Sequence, residues 1–541
     1  MEGLCLSLGH NSSAIYVRNG QILGGYETER LTGVKSDSSF PKLPIEQLRK
    51  FHHFDDDIPL FVGHWALDGQ LSSMKEKHWD VKYIKENFPN SKIYTLSKEF
   101  THHDSHAYSA LAFSEWKNDA HCIVMDGFGT MGEHMSVYKV INGVPVLQWR
   151  KFGFQTSLGL LYQYTTGFLG MKQNQDEYKL LAFEAHISDV LPYVKMADIR
   201  KQITRWTDHY LENIEKTKID PGTDPLCNLG ALPEIAERIA NMHLSVYKEI
   251  GAERLSDKHK RIITAYFTQA LVENVVASIV RTYAPTNLVV AGGLFYNVKL
   301  NNLLSRLVAG KFCAFPLCGD QGAALGIYHA TYPISWPDHL YWGHRPYERP
   351  ESSVYGLYTF DTSQEDLALK MAADILDVGG YVNIVRGAME FGPRALCHTT
   401  TLAVAKPEIA AYINKINART NEMPFAPVVT AEGVHKYFRD VDKIHKSLEY
   451  MIVTRDFDDN RHLSYMGAVH CDYDRKVFTG RPQVSNDPFI TPIVDQYGML
   501  INTSYNFHGV PIVYNMKDIL YTRTRQMELA DRFKPVTIVV N

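Results

Sequence analysis

The stretch THHDSHAYSALAFSE, Thr101 to Glu115, places three histidines and an aspartate within the five positions His102 to His106. Small and apolar residues follow at once, as on a helix that packs on one side. On such a helix His102 and His106 lie one turn apart on one face, so both imidazoles reach a common ion. His103 points elsewhere. From this stretch alone a structural histidine cluster is the commoner reading, because imidazoles often only hydrogen-bond. Two carboxylates elsewhere add weight to a metal. Asp126 ends the buried-looking strand CIVM and opens the loop DGFGTMGE, and Asp320 follows FPLCG and opens the glycine-rich DQGAALGIYHA. Two histidines with two carboxylates suit divalent iron, or a similar transition metal, better than calcium or magnesium.

Strands and helices must bring those residues together. LCLSLGHNSSAIYVRNGQILGGYETER reads strand, polar loop, strand, Asn19-Gly20 turn, strand. HCIVMDGFGTMGEHMSVYKVINGVPVLQWR repeats the plan with a turn at Asn142-Gly143. Asn-Gly favours the two-residue hairpin turn because both positions tolerate positive φ. Two copies of one plan suggest an internal duplication; two unrelated hairpins are the plainer alternative. In an actin-like duplicated fold, carboxylates at strand ends such as Asp126 and Asp320 face the cleft between the halves. From Asp257, read as the N-cap, to Arg281 apolar residues recur at three- and four-residue steps, which predicts a long helix. The strand NLVVAGG after it ends in Gly292 and Gly293, where backbone could approach phosphate closely or simply turn.

Domain organisation follows from the punctuation. Residues 1–335 form a first domain, with a mostly helical, charged insertion over about 188–255. Residues 336–351 are rich in proline and aromatics without periodicity and read as an ordered linker. Residues 352–541 open on a capped helix and the strand YVNIV, an α/β domain of ordinary size expected to fold by itself.

The bulk numbers exclude some functions. The chain has 541 residues and a formal net charge of -4 without a lysine or arginine run, which argues against nucleic acid as principal partner. Seven scattered cysteines form no C-x-x-C pair, so a thiolate zinc site is not expected, and free thiols suit a reducing cytoplasm. The N-terminus reads as a strand, with no signal peptide, and no apolar run reads as long enough to span a bilayer, so no membrane partner is expected. A homodimer is the base-rate expectation.

The chain resembles the nodulation-type O-carbamoyltransferases, the family that includes tobramycin carbamoyltransferase. The resemblance covers nearly the whole length, through ETERLTGVKSDSSFP, THHDSHAYSA, MDGFGTMGE, SLGLLYQYTTGFLGM, DEYKLLA, AGGLFYN, GDQGAALG, MEFGPRAL, PFAP and NTSYNFHGVPIV in the family's order. It implies an α/β fold: an actin-like ATPase domain of the duplicated ASKHA type, followed by a YrdC-like domain. It implies that carbamoyl phosphate and ATP, with Mg2+, give carbamoyl-adenylate in the second domain. A metal-assisted transfer to a substrate hydroxyl then follows in the first. By motif match His102, His106, Asp126 and Asp320 are the metal ligands, with Fe2+ or a similar ion. Gly292, Gly293 and Asn297 belong to the adenylate pocket, with Glu177 and Lys179 lining the same cleft. His10 and Lys35 face the acceptor or the carbamoyl group. Arg394, Arg419, Ser504 and Asn506 match phosphate- or nucleotide-binding positions. The acceptor is a small molecule: a sugar, nucleoside or natural product.

The chain also departs from that pattern. Cys397, His398, Thr399 and Thr400 stand where the family has Gly-x-Arg-Ser. Asn417 and Met423 replace a lysine and an arginine, Val510 a glutamate, and Gly33 and Ser36 alter the N-terminal signature. Each missing cation forgoes a charge-assisted bond worth roughly 1.5–3 kcal/mol. Lys415 and Arg475 are the basic groups expected to compensate. Two other readings follow from these losses: a metal- and nucleotide-binding module with a degenerate second domain, or an acyl-adenylate transferase acting on tRNA.

Overall fold

A computed structural model describes the chain except residues 65–76, 217–220, 222, 347–348, 421–423, 459 and 461. Met423 therefore lies outside the described residues. The first half carries two five-stranded sheets. One is built from β1 (Glu2–Ser7), β2 (Ser13–Arg18), β3 (Gln21–Glu27), β4 (Leu60–Gly63) and β5 (Ile93–Tyr94). The other holds β6 (Ala120–Met125), β7 (Glu133–Ile141), β8 (Val144–Phe152), β9 (Asn287–Ala291) and β10 (Phe312–Ala314). Their orders, β3-β2-β1-β4-β5 and β8-β7-β6-β9-β10, are the same plan twice. In each the first three strands are antiparallel and the last two run parallel to the first. The duplication and the actin-like class read from the sequence are borne out. Asn19-Gly20 and Asn142-Gly143 both turn with positive φ, at 52°, 77°, 53° and 78°, as the hairpin geometry requires.

Because the parallel strands share a direction, their carboxyl ends open on one side, where such sheets bind ligands. The helix His102–Ser114 feeds β6 and lies against the helix Ala323–Thr331. Those helices approach so closely that a Cβ at Gly326 would lie 1.8 Å from the Ser105 carbonyl oxygen. The helix Asp257–Tyr283 is capped by Ser256, one residue before the expected Asp257, because the Ser256 hydroxyl accepts from the His259 amide. By length and composition this helix could cross a membrane, contrary to the sequence reading, but 78% of its apolar stretch is buried inside the protein. It is a core helix here. The charged stretch before it forms the helices Met196–Lys216 and Leu232–Glu249.

The second half is a mixed seven-stranded sheet. Its order is Leu357–Phe360, Val536–Val540, Tyr381–Arg386, Thr399–Val404, Leu500–Ser504, Ala426–Thr430 and Gln483–Ser485. This is the α/β body expected of the YrdC-like class. The segment between the halves holds a strand that periodicity did not reveal, Tyr341–Gly343, paired with Met389–Glu390.

The second half also leans on the first. His445 donates its amide to the Phe312 carbonyl at 2.8 Å, beside a parallel bridge of Ile444 to Phe312. Ser447 Oγ accepts from the Ala314 amide at 2.8 Å, and Asn301 Nδ2 donates to the Ile452 carbonyl at 2.8 Å. Arg455, fully buried, donates to Asn302 Oδ1 at 3.1 Å and Ser305 Oγ at 2.7 Å. Cut from the first half, these groups pair with water instead, but Ile444, Leu448, Tyr450 and Ile452, which share one core with the first half, become exposed at about 1.5–3 kcal/mol for each fully buried large apolar side chain. A fragment of residues 352–541 is therefore expected to show no cooperative thermal unfolding, while the full chain does. Circular dichroism melting checks this, and a sharp transition in the fragment would show that the second half holds its own core.

Candidate active site

The histidine helix begins with a capping box. Asp104 accepts from the Thr101 amide at 2.8 Å, and the Thr101 side chain serves the third helical amide in return, which satisfies two amides a helix start leaves open. Arg150 on β8 reaches Asp104 at 2.6 Å and Glu133 at 2.9 Å. Glu133, fully buried, also accepts from the His103 amide at 2.9 Å and the Thr101 hydroxyl at 2.9 Å. His103 turns away from the cleft to Ser136 Oγ at 2.8 Å. This fixes the face that His102 and His106 present.

The four expected ligands converge. His102 and His106 bring their Nε2 atoms to 3.0 Å. Asp126 Oδ2 lies 3.4 and 3.5 Å from them, and Asp320 Oδ1 3.3 and 3.6 Å. All four ligand atoms lie within 4.8 Å of one another. Two imidazole lone pairs and two carboxylates aimed at one point require positive charge there. Burial works against a charged His102, but Asp320 and the bonds to both carboxylates outweigh it and raise its pKa to about 10. Burial likewise raises Asp126 and Asp320, yet the histidines hold both below the usual carboxylate range. Among the described residues the buried Nδ1 atoms of both rings have no hydrogen-bond partner, and the rings' polar engagement is at Nε2. The histidines are sealed, whereas the carboxylate side chains remain 17% and 26% exposed. The donor set fits a divalent transition metal with its open side toward the cleft.

The Gly-Gly turn backs onto this group. Gly292 has φ of 93°, and a Cβ on Gly293 would lie 3.0 Å from Asp126 Oδ1, so only bare backbone fits beside the carboxylate. Asn297 caps the next helix through the Leu300 amide at 3.0 Å and bonds Gln269 at 2.8 Å; its amide serves the fold first. His10 is exposed at the carboxyl end of β1. His64, at the carboxyl end of β4 and buried, escaped the sequence reading. Its Nε2 is 3.4 Å from where a Cβ of Gly9 would sit, and burial holds its pKa near 4 although Asp320 pulls it upward.

A second cluster lies where the halves meet. Glu177 accepts from the Asn174 amide, and burial raises its pKa. Lys179 pairs with Asp176 at 2.8 Å. Burial lowers the Lys35 pKa, opposed by Glu29 and Asp176. Facing these, burial and the charges of Lys179, Lys35 and Arg419 lower His508. Burial lowers Arg394, with Tyr296 and Tyr178 of the first half opposing. Arg419 donates to Thr503 Oγ1 at 2.9 Å and lies over the Phe425 ring. Ser504 and Asn506 bond each other at 2.6 Å. Arg481, also missed from sequence, is lowered by burial and by the charges of Arg394 and Arg419. Among the described residues neither Arg394 nor Arg481 has a hydrogen bond or ion pair. Among the described residues no carboxylate offsets these three partly buried guanidiniums, an environment suited to an anion. The expected compensating groups are elsewhere: Lys415 pairs with Asp531, and Arg475 with Asp456 and Asp472. Carboxylates neutralise both.

Residues 74–328 match the family model of the carbamoyltransferase N-terminus, and residues 373–530 that of the carbamoyltransferase C-terminus. The chain belongs to the carbamoyltransferase family. Nodulation protein NolNO of Sinorhizobium fredii is 26% identical over 95% of this chain and 76% of its own. The 3'-hydroxymethylcephem-O-carbamoyltransferase of Streptomyces clavuligerus is 25% identical over 96% of each. Among solved structures, HypF of T. kodakarensis aligns over 61% of this chain and 48% of its own, at 13% identity and TM-score 0.31. This carbamoyltransferase is thus a transferase enzyme, with both family regions present in one chain.

The geometry makes a metal-binding prediction. Without metal His102 stays protonated up to about pH 10, and a metal must displace that proton. Against burial, Asp126 and Asp320 raise His106 as well, so divalent metal binding at pH 8 is expected to release at least one proton, with apparent affinity rising as pH rises. Calorimetry in buffers of different ionisation enthalpy, with iron(II) or cobalt(II), measures both. His106→Ala is expected to abolish binding and His103→Gln to keep it; metal retained by His106→Ala would remove that side chain from the donor set.

Proposed function

We propose that this carbamoyltransferase is an ATP-dependent O-carbamoyltransferase with two sites used in sequence. Carbamoyl phosphate and ATP form carbamoyl-adenylate at the arginine cluster of the second half. One water is consumed, and inorganic phosphate and pyrophosphate leave. The carbamoyl carbon is then attacked by the hydroxyl of a small molecule, giving a carbamate ester and AMP. The observation that carries this reading is the triad Arg394, Arg419 and Arg481, which no carboxylate among the described residues neutralises, with Arg394 and Arg419 next to Tyr178, and Arg394 also next to Tyr296, of the metal-bearing half.

Each half has its own task. A bare alcohol attacks carbamoyl phosphate poorly, and adenylation supplies a better leaving group. The guanidiniums hold phosphate oxygens and stabilise charge as it builds on them. Gly292 and Gly293 let phosphate approach the backbone beside Asp126. His102, His106, Asp126 and Asp320 would hold iron(II) or a similar ion, which supplies Lewis acidity toward the phosphate of the intermediate. Lys35, its charge disfavoured by burial, faces the carbamoyl group. His10, exposed at the end of β1, takes the proton of the acceptor hydroxyl. Free cysteines at Cys5, Cys122, Cys313, Cys318 and Cys397, all buried, fit a reducing cytoplasm, where ATP and carbamoyl phosphate are made.

Damage to the two sites should have different remedies. Arg394→Ala and Arg481→Ala are each expected to lower pyrophosphate release from ATP and carbamoyl phosphate about a hundredfold or more. Supplied carbamoyl-adenylate should restore carbamate formation in both. His102→Ala should block it, and the supplied intermediate should not help. Mass spectrometry of a pool of hydroxylated metabolites reads the gain of one carbamoyl group. Equal rescue of all three variants, or of none, would refute the division of labour.

A further inference from the structure

The loop that carries Arg394 has a backbone its own sequence does not favour. Cys397 holds a left-handed φ of 78°, which a side chain other than glycine adopts only under constraint. The residues around it supply that constraint. The amides of Leu396, His398 and Thr399 all donate to one oxygen, Glu390 Oε1, at 2.9, 2.8 and 2.9 Å. The Thr399 hydroxyl donates to Glu390 Oε2 at 2.7 Å. Glu390 is 2% exposed, so its charge needs a counter-charge inside the protein.

His398 on the same loop supplies part of that counter-charge, and the rest comes from outside the second sheet. Arg345, in the segment that joins the halves, brings Nη2 to 3.9 Å from Glu390 Oε2 and donates to the Thr399 hydroxyl. The segment is itself fastened to both halves. Tyr341 and Gly343 pair with Glu390 and Met389, and the His344 carbonyl accepts from the hydroxyls of Tyr26 at 3.0 Å and Tyr514 at 3.1 Å. On the loop's other side, the Gly392 amide donates to Glu27 at 3.1 Å and its carbonyl accepts from Arg30 at 2.8 Å. Arg394 follows two residues later.

We propose that Arg345 is a positioning residue: through Glu390 it fixes the loop that presents Arg394, so the joining segment completes the anion site of the second half. The functional part rests on the reading that Arg394 binds phosphate. Position 399, threonine here, is reached by a guanidinium from position 345.

The test uses the full chain with Arg345→Met, Arg345→Lys, and Arg345→Met combined with Thr399→Arg. In Arg345→Met, amide hydrogen exchange at Leu396, His398 and Thr399 is expected to accelerate tenfold or more, while Tyr381–Arg386 keeps its protection. The KM for carbamoyl phosphate in pyrophosphate release should rise tenfold or more with a smaller change in kcat. Carbamate formation from supplied carbamoyl-adenylate should stay unchanged. Arg345→Lys should recover part of the loss, and Thr399→Arg should restore both loop protection and KM. Unchanged exchange in the loop, or exchange rising across the whole second half, would overturn the proposal. Local loosening together with full pyrophosphate release by Arg394→Ala would support the positioning and refute the phosphate reading.

Discussion

One buried guanidinium underlies the metal-ligand geometry. Arg150 ties Asp104, at the start of the histidine helix, to Glu133, at the start of β7. Burial pushes the Glu133 carboxyl up, and Arg150 and the His103 amide pull it back. Breaking such a pair strands a charge in the interior and costs roughly 3–5 kcal/mol. The consequence is geometric as well as energetic. A rotation of the helix by one residue would turn His103 into the cleft and His102 and His106 out of it. The pair therefore specifies which histidines face Asp126 and Asp320, and the close approach at Gly326 keeps that helix from sliding.

Some of this was legible in the sequence and some was not, for a physical reason. The duplicated strand plan, the turns at Asn19-Gly20 and Asn142-Gly143, and the i, i+4 histidines are local patterns, and local patterns survive in a string of letters. Glu133 and Arg150 carry no such signal, because their meaning arises from a pairing of β7 with β8 and a helix from another part of the chain. The capping of the long helix by Ser256 rather than Asp257 turned on a single side-chain bond. The strand Tyr341–Gly343 is too short for periodicity and is defined only by its partner Met389–Glu390. Arg481 was hidden for the same reason: nothing near it in sequence marks it, and only the sheet brings it to Arg394.

The missing cations of the second half look different once packed. Asn417 is 1% exposed, accepts from Gln526 Nε2 at 2.8 Å, and its carbonyl accepts from the His508 amide at 3.1 Å. Gln526 accepts in turn from Asn383, which accepts from the Thr401 hydroxyl. A lysine at 417 would break a satisfied polar network, and an uncompensated buried ammonium is costly. Thr399 is likewise engaged, by Glu390 and Arg345. These positions are committed to the sheet's interior. Their substitution therefore does not by itself measure the strength of the proposed phosphate site.

What that site needs is net positive charge at one place, whichever positions supply it. Burial lowers the proton affinity of all three guanidiniums, and the charges of Arg394 and Arg419 lower that of Arg481 further, so charge there is unfavourable when no anion is held. The loop that presents Arg394 is held by Glu390, Glu27 and the segment between the halves, all outside the cluster itself. Repulsion maintained by such a scaffold is what makes an anion bind, because the ligand relieves it. A residue-by-residue comparison of cations at matching positions would count three losses, at 399, 417 and 423. Among the described residues a count of charges in space finds three guanidiniums without a carboxylate, and the proposed phosphate site depends on this second count.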